Sequence, residues 1–290
     1  MLKKTEIESI EKKALEHRSL KGLGYDAPIG NKIFDILEYQ YKVNLFIYPL
    51  KSKNICGFTQ KKDEKFSVFV NSGLRRCLQN FVCAHELYHV TQSKNYEEEN
   101  LIICDAKDIS EDMSETDISH DELKANYFAA SFLLPERLIK ERFSIFETDT
   151  SNISDLLLEI LKIQYNFEVP YKTILKRLCE VGITSEEIYK NLMDLESNMT
   201  EYCKMYDEEL CQNIRYQQEA DKRMYSSLNV TKTAYDVYMK NALTYSKLKQ
   251  ILNRYRKDPD DFGVTEENDE PIGIDFSNYG SGKEESESES

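Results

Sequence analysis

His85, Glu86, Leu87, Tyr88 and His89 constrain this chain more than any other stretch of it. Histidines four residues apart stand on one face of an α-helix, one turn from each other. Both imidazoles can then reach one metal ion, while the carboxylate beside the first can handle the proton of a water on that ion. This is the smallest arrangement of a zinc hydrolase site. Only 4 histidines occur in 290 residues, and the pattern uses two of them. The plainer alternative is a pair of core or surface histidines on an amphipathic helix. Residues 74–92 read as that helix, with Leu74, Leu78 and Phe81 on the stripe that continues into His85 and His89. The metal face should therefore point inward, beneath a small sheet.

The length allows one large domain or two smaller ones. The apolar runs are far below the roughly 20 residues of a membrane span. Residues 1–6 lead into a charged helical pattern rather than the apolar core of a secretory signal, which predicts a cytoplasmic protein. The 7 cysteines are odd in number and form no C-x-x-C pair, so reduced thiols are expected. Cys83 is two residues from His85, off the metal-facing positions, and reads as packing. Residues 258–290 hold twelve acidic residues and one lysine, net −11 of the chain's −14, which leaves −3 for the body. A body without a basic footprint argues against direct nucleic-acid binding.

Along the chain, residues 1–21 read as a short polar helix, broken by Gly22, Gly24, Pro28 and Gly30. A helix over 32–41 and a strand over 43–48 follow, then a turn at 54–57 and a strand over 66–70. Asn71 and Ser72 can cap the histidine helix. Residues 93–118 are polar and acidic with an apolar island at 101–104, and read as a mobile excursion, a lid or rim beside the site. A second clear helix covers 119–134, stopped by Pro135, with the small residues Ala125, Ala129 and Ala130 on one face. Helices follow at 152–164, 170–180 and from 184 onward, and two long ones across 199–256, broken near Asn229. Residues 280–290 are low-complexity and read as disordered.

A catalytic zinc site has three protein ligands and one open position. The extended pattern with a third histidine fails, because Gln92 and Asn95 occupy its glycine and histidine positions. A carboxylate on the following helix remains. Asp121 and Glu122 both stand there, and Glu122 also fits a capping box with Ser119. Here the chain resembles the ImmA/IrrE family of metallopeptidases. That family pairs H-E-L-x-H with a later E-x-x-A-N-x-F-A-A and L-L-x-P. In this chain the second block is Glu122, Ala125, Asn126, Phe128, Ala129 and Ala130, then Leu133, Leu134 and Pro135. The resemblance covers roughly residues 30–185, more weakly toward Phe167, Arg177 and Gly182.

The resemblance implies that His85, His89 and Glu122 hold Zn²⁺, with Mn²⁺ or Fe²⁺ as alternatives, and that Glu86 is the catalytic carboxylate. His120, Tyr88 and Asp121 are candidates for transition-state or supporting roles, though each also reads as ordinary packing or surface; Tyr127 has the same two readings. The implied fold is α+β and mostly helical: a small antiparallel sheet on the H-E-x-x-H helix, a minimal zincin-like core with a helical C-terminal extension. The expected organisation is a helical extension over 1–30, the peptidase core over 31–185, a helical region over 186–257 and an acidic disordered tail over 258–290. The implied substrate is a protein, a helix-turn-helix repressor encoded nearby, whose cleavage switches mobile-element or stress genes. The rival is a non-catalytic metal-containing protein that sequesters a regulator. No membrane partner is expected.

Overall fold

The computed structural model describes residues 2–52, 54–92, 101–109, 118–145, 152–195, 199–204, 208–220, 222, 224–226, 230–255 and 257–265. The chain divides into two compact units, Met1–Leu228 and Asn229–Ser290. In the first unit, α1 (Lys4–Leu20) precedes α2 (Lys32–Asp35), which runs into a π-turn at Ile36–Gln40. Strands β1 (Asn44–Tyr48), β2 (Ile55–Lys62) and β3 (Lys65–Asn71) lead to α3 (Arg76–Thr91), β4 (Leu101–Asp105) and α4 (His120–Leu133). Then come α5 (Glu136–Ile145), α6 (Ile153–Phe167), α7 (Tyr171–Glu180), α8 (Glu186–Asp194), α9 (Met199–Lys204), α10 (Glu208–Gln218) and the short β5 (Tyr225–Ser226). The second unit holds α11 (Val230–Tyr238), α12 (Tyr245–Arg254) and a 3-10 turn at Pro259–Phe262, packed around Leu248, Leu252 and Val264. The fold is α+β and mostly helical.

The sheet has the order β4-β2-β3-β1-β5. It is mixed, which corrects the antiparallel expectation: β1 and β3 run parallel, while the β2–β3, β2–β4 and β1–β5 pairs are antiparallel. The chain leaves β1, skips one strand position to form β2, and turns back so that β3 fills the gap. That turn is a two-residue hairpin at Asp63 and Glu64, with φ of 48° and 61° and Lys62 paired to Lys65. Backbone of this kind matches the twist of a hairpin, but glycine or asparagine usually supplies it. Without that signal β2 reads as a polar turn, and the strand at the centre of the site was missed. Phe58 and Phe69 face each other across this hairpin, ring centroids 4.7 Å apart.

Two further expectations change. The apolar island at 101–104 is β4, an edge strand; residues 93–100 and 110–117 lie outside those described, as does 266–290, which takes in most of the acidic tail. Where two long helices are expected across 199–256, the described residues form four shorter ones.

α3 lies on the sheet, against β2 and β3, and α4 packs across α3 and α1. Nearly every residue of α3 from Cys77 to Val90 is buried, because the sheet covers one side and α4 and α10 the others. Helix α4 ends against two buried arginines. Its last carbonyls have no partner within the helix. Arg18, on the inward face of α1 with Ile10 and Ala14, donates to the Phe132 carbonyl. Arg177 of α7 donates to the Leu134 carbonyl at 3.0 Å. Positive charge there also suits the negative end of the helix dipole. Arg177 continues to Glu11 at 2.5 Å and to the Tyr127 hydroxyl at 3.2 Å, and the charges of Glu11 and Glu180 raise its pKa against the effect of burial. The two arginines thus fix α4 lengthwise, and with it whatever its first turn presents to α3. Arg177→Met should lower the free energy of unfolding by about 3–5 kcal/mol in urea titration, because Glu11 and the helix end lose a buried partner; a loss under about 1 kcal/mol would show that Arg18 alone suffices.

Candidate metal centre

His85 and His89 lie one turn apart on the buried face of α3, and Glu122 stands in the first turn of α4, where the two helices cross. His85 Nε2 is 2.8 Å from Glu122 Oε2, and His89 Nε2 is 3.4 Å from Glu122 Oε1. The two histidine Nε2 atoms are 3.3 Å apart. His85 and His89 are fully buried and Glu122 nearly so.

The local sequence explains how Glu122 arrives there. Ser119 is the N-cap of α4, its hydroxyl accepting the Glu122 amide at 3.3 Å. A full capping box would turn the Glu122 carboxylate back onto the cap. Here the carboxylate reaches the histidines, so only half of the box forms. One turn on, Asn126 shares the face of Glu122. Its Oδ1 is 2.9 Å from His85 Nδ1, and its Nδ2 donates to the Asp108 carbonyl. The amide so anchored presents an acceptor, which places the proton of a neutral His85 on Nδ1 and leaves a lone pair on Nε2. Three electron-pair donors then face one another, and a proton or a cation must stand among them. Burial alone would lower the pKa of His85, but the hydrogen bond and charge of Glu122, with the charge of Glu86, outweigh it and raise it.

Glu86 lies beside this cluster. Thr59 of β2 donates to its Oε2 at 2.7 Å, while Oε1 is buried with no hydrogen-bond partner. An orphaned buried carboxylate oxygen is costly and calls for a functional reason. The two carboxylates are tuned apart. Burial raises the pKa of Glu86, the charges of His85 and His89 only partly offsetting it. Burial also raises that of Glu122, but hydrogen bonds to His85 and His89 reverse the effect and hold it at about 2.

The sheet contributes more than Thr59. Gly57 is the point where β2 presses on α3: a Cβ there would meet Val82 Cγ1 at 2.7 Å, and Glu86 Oε1 and the Phe69 carbonyl both at 2.9 Å. Cys104 pairs with Gly57 across the β2–β4 ladder. Ligating atoms of His85, Cys104 and Glu122 all lie within 4.8 Å of one another. Burial holds the Cys104 thiol well above its ordinary pKa, and the nearby Glu86, Cys56 and Glu122 add to the shift.

Of the remaining candidates, Tyr88 borders the centre, its ring edge-on to that of His89 with centroids 5.6 Å apart, and the others stand elsewhere. His120 is bound to Glu6 of α1 at 2.8 Å, and Asp121 is exposed beside Lys124. The Tyr88 ring packs on Phe128, and burial, first among several causes, pushes its hydroxyl up to about 12. Tyr127 donates to Glu11 and accepts from Arg177. Cys83 is buried in the core, as expected. A hollow is lined by Phe81, Leu123, Asn126, Tyr127 and Lys176; His85, Glu86 and His89 take no part in it. Asn126, Thr59 and Cys104 were not foreseen. Asn126 had a signal, its spacing of four from Glu122; Thr59 and Cys104 had none, since both arrive through strands the sequence did not announce.

Residues 39–179 match the model of peptidase family M78, described as the IrrE N-terminal-like domain. These residues are similar to a domain of this peptidase family. Both candidate motifs, and Cys104 between them, fall within it. No curated protein matches the chain. A solved structure described as a Mycobacterium tuberculosis transcriptional regulator is similar over 59% of this chain and 47% of that one, at 18% identity and a TM-score of 0.38. The chain thus spans about half the length of that structure. A metallopeptidase family implies a metal cofactor and a protein substrate. Among the described residues no helix is long and apolar enough to cross a membrane.

The closeness of β2 to α3 can be measured. Gly57→Ala should cost about 1–3 kcal/mol of stability, the usual cost of forcing a methyl into a packed core. An unchanged urea midpoint would mean that β2 can retreat from α3 freely.

Proposed function

We propose that this chain is a zinc-dependent endopeptidase, with His85, His89 and Glu122 as metal ligands and Glu86 as the catalytic base. The observation that carries the reading is the convergence of three buried donor groups beside a carboxylate oxygen with no partner of its own. Ligands about 2.0–2.1 Å from a tetrahedral zinc stand about 3.3–3.4 Å apart. The His85–His89 and His89–Glu122 separations of 3.3 and 3.4 Å fit that edge, and the 2.8 Å of the third pair needs only a small adjustment.

When bound, a divalent ion here would bring the pKa of a water toward about 7 and polarise a peptide carbonyl. The protein's own groups do the rest. Glu122, kept anionic by its low pKa, suits a permanent ligand. Glu86, raised toward neutrality by burial, suits a group that must accept a proton and return it to the leaving amine. Thr59 holds one oxygen of Glu86 and so aims the other. Asn126 fixes the ring of His85 and its protonation state.

The substrate in this reading is a protein, specifically a helix-turn-helix repressor encoded nearby and cut in the cytoplasm to switch mobile-element or stress genes. It rests on the family, which supplies a peptide substrate, and on the near-neutral body, which offers nucleic acid little. Mn²⁺ or Fe²⁺ would also accept two imidazoles and a carboxylate. The rival, a non-catalytic metal protein that sequesters a regulator, has Cys104 on its side, because a fourth protein ligand would close the centre. The unpartnered Oε1 of Glu86 speaks against it, since a purely structural site has no use for that oxygen.

Coexpression with the neighbouring repressor, read by intact mass, separates the two. Glu86→Gln should keep zinc and fold while lowering cleavage by at least about 100-fold, the lower range for a general base; undiminished cleavage would refute the mechanism. Asn126→Ala should weaken zinc binding by about 10–100-fold, the usual cost of losing a group that orients a ligand. Equal zinc affinity, measured by competition with a chelating dye, would remove Asn126 from the centre.

A further inference from the structure

We propose that Cys104 is a further ligand of the metal centre, closing it with sulfur in the resting protein. The inference deepens the reading above and rests on it, because it presupposes a metal among His85, His89 and Glu122.

Three observations point the sulfur at the metal. The ligating atoms of Cys104, His85 and Glu122 are mutually within 4.8 Å, so the thiol belongs to the donor cluster by distance. Its direction follows from the ladder. Residues directly opposite in an antiparallel pair put their side chains on the same face. The partner of Cys104 is Gly57, and a side chain on Gly57 would run into Val82 and Glu86 of α3. Cys104 therefore faces the metal helix, and the missing side chain at Gly57 leaves its sulfur unobstructed there. Exposure along β4 agrees: Leu101 and Ile103 are about half exposed while Cys104 is fully buried. The third observation is independent of the cysteine. Glu86 Oε1, fully buried and unpartnered, lies at the same place, 2.9 Å from where the Gly57 Cβ would be. A polar group left without a partner in a dry interior marks this spot as one built for a ligand.

Sulfur enters from the sheet, whereas the other donors come from two crossing helices. Ligation releases the thiol proton to solvent. A soft thiolate favours zinc over manganese and other hard ions, which would set the metal. It also takes the position that a catalytic site keeps open. The resting centre is then latent, and β4, which among the described residues pairs with β2 along one edge, is the element whose shift would open it.

Titration of the full chain with Co²⁺ tests this. Wild type should show the visible bands of four-coordinate cobalt together with a near-ultraviolet sulfur-to-cobalt charge-transfer band. Cys104→Ser and Cys104→Ala should keep the visible bands, and so the site and fold, while the charge-transfer band disappears. Cys56→Ser should keep both. Visible bands in wild type without charge transfer would overturn the inference and leave the metal centre standing, as would a charge-transfer band that survives Cys104→Ala. Absence of visible bands in wild type, or bands unchanged in His85→Ala, would refute the metal centre and the inference together.

Discussion

Three electron-pair donors converge between α3 and α4, none more than 3.4 Å from the next. Such groups repel one another unless something positive stands among them, and they are buried where water cannot relieve the repulsion. An arrangement of this kind is held from outside. Asn126 and the Asp108 carbonyl hold the ring of His85, the Ser119 cap sets the start of α4, and Arg18 and Arg177 anchor its end. Both ends of one helix are thus fixed by polar contacts, and the carboxylate it carries has little freedom to leave the histidines.

The second constraint is the distance between the sheet and α3. With Gly57 at the contact, β2 comes close enough for Thr59 to bind one oxygen of Glu86 while the other stays unpaired. A larger residue would push the strand away, and both the threonine and the cysteine on the next strand would leave the cluster. The pKa values of the two carboxylates separate for the same reason. Burial acts on both, but hydrogen bonds to His85 and His89 outweigh it at Glu122, whereas at Glu86 it prevails. One site thereby holds a carboxylate suited to binding a cation and another suited to carrying a proton.

The matched residues and the candidate centre coincide. The family match rests on residues 39–179, and the donor geometry on atoms of α3, α4 and β4. Their agreement gives the endopeptidase reading its weight. Neither speaks to the second unit, whose small core of Tyr245, Leu248, Leu252 and Val264 is its own.

The motif residues were legible from sequence because helical spacing alone decides which side chains share a face. His85 and His89 are four apart and lie on one face as expected; Glu122 and Asn126 have the same spacing, though the sequence reading gave Asn126 no role. Most helices of the first unit were legible for the same reason of periodicity, and the fold class was implied by the resemblance. Strand β2 was not, because its hairpin turns on Asp63 and Glu64 and its most telling residue, Gly57, reads as a break. Nor was β4, an edge strand whose five residues form a ladder only because β2 is there to pair with. Sequence by itself determined that two histidines and two carboxylates stand on faces able to hold a metal. The resemblance already implied that Glu122 meets the histidines; only the tertiary structure decided that one oxygen of Glu86 stands unpaired and that a buried thiol lies close by. Those choices depend on how closely a strand approaches a helix, and spacing along the chain carries no information about that distance.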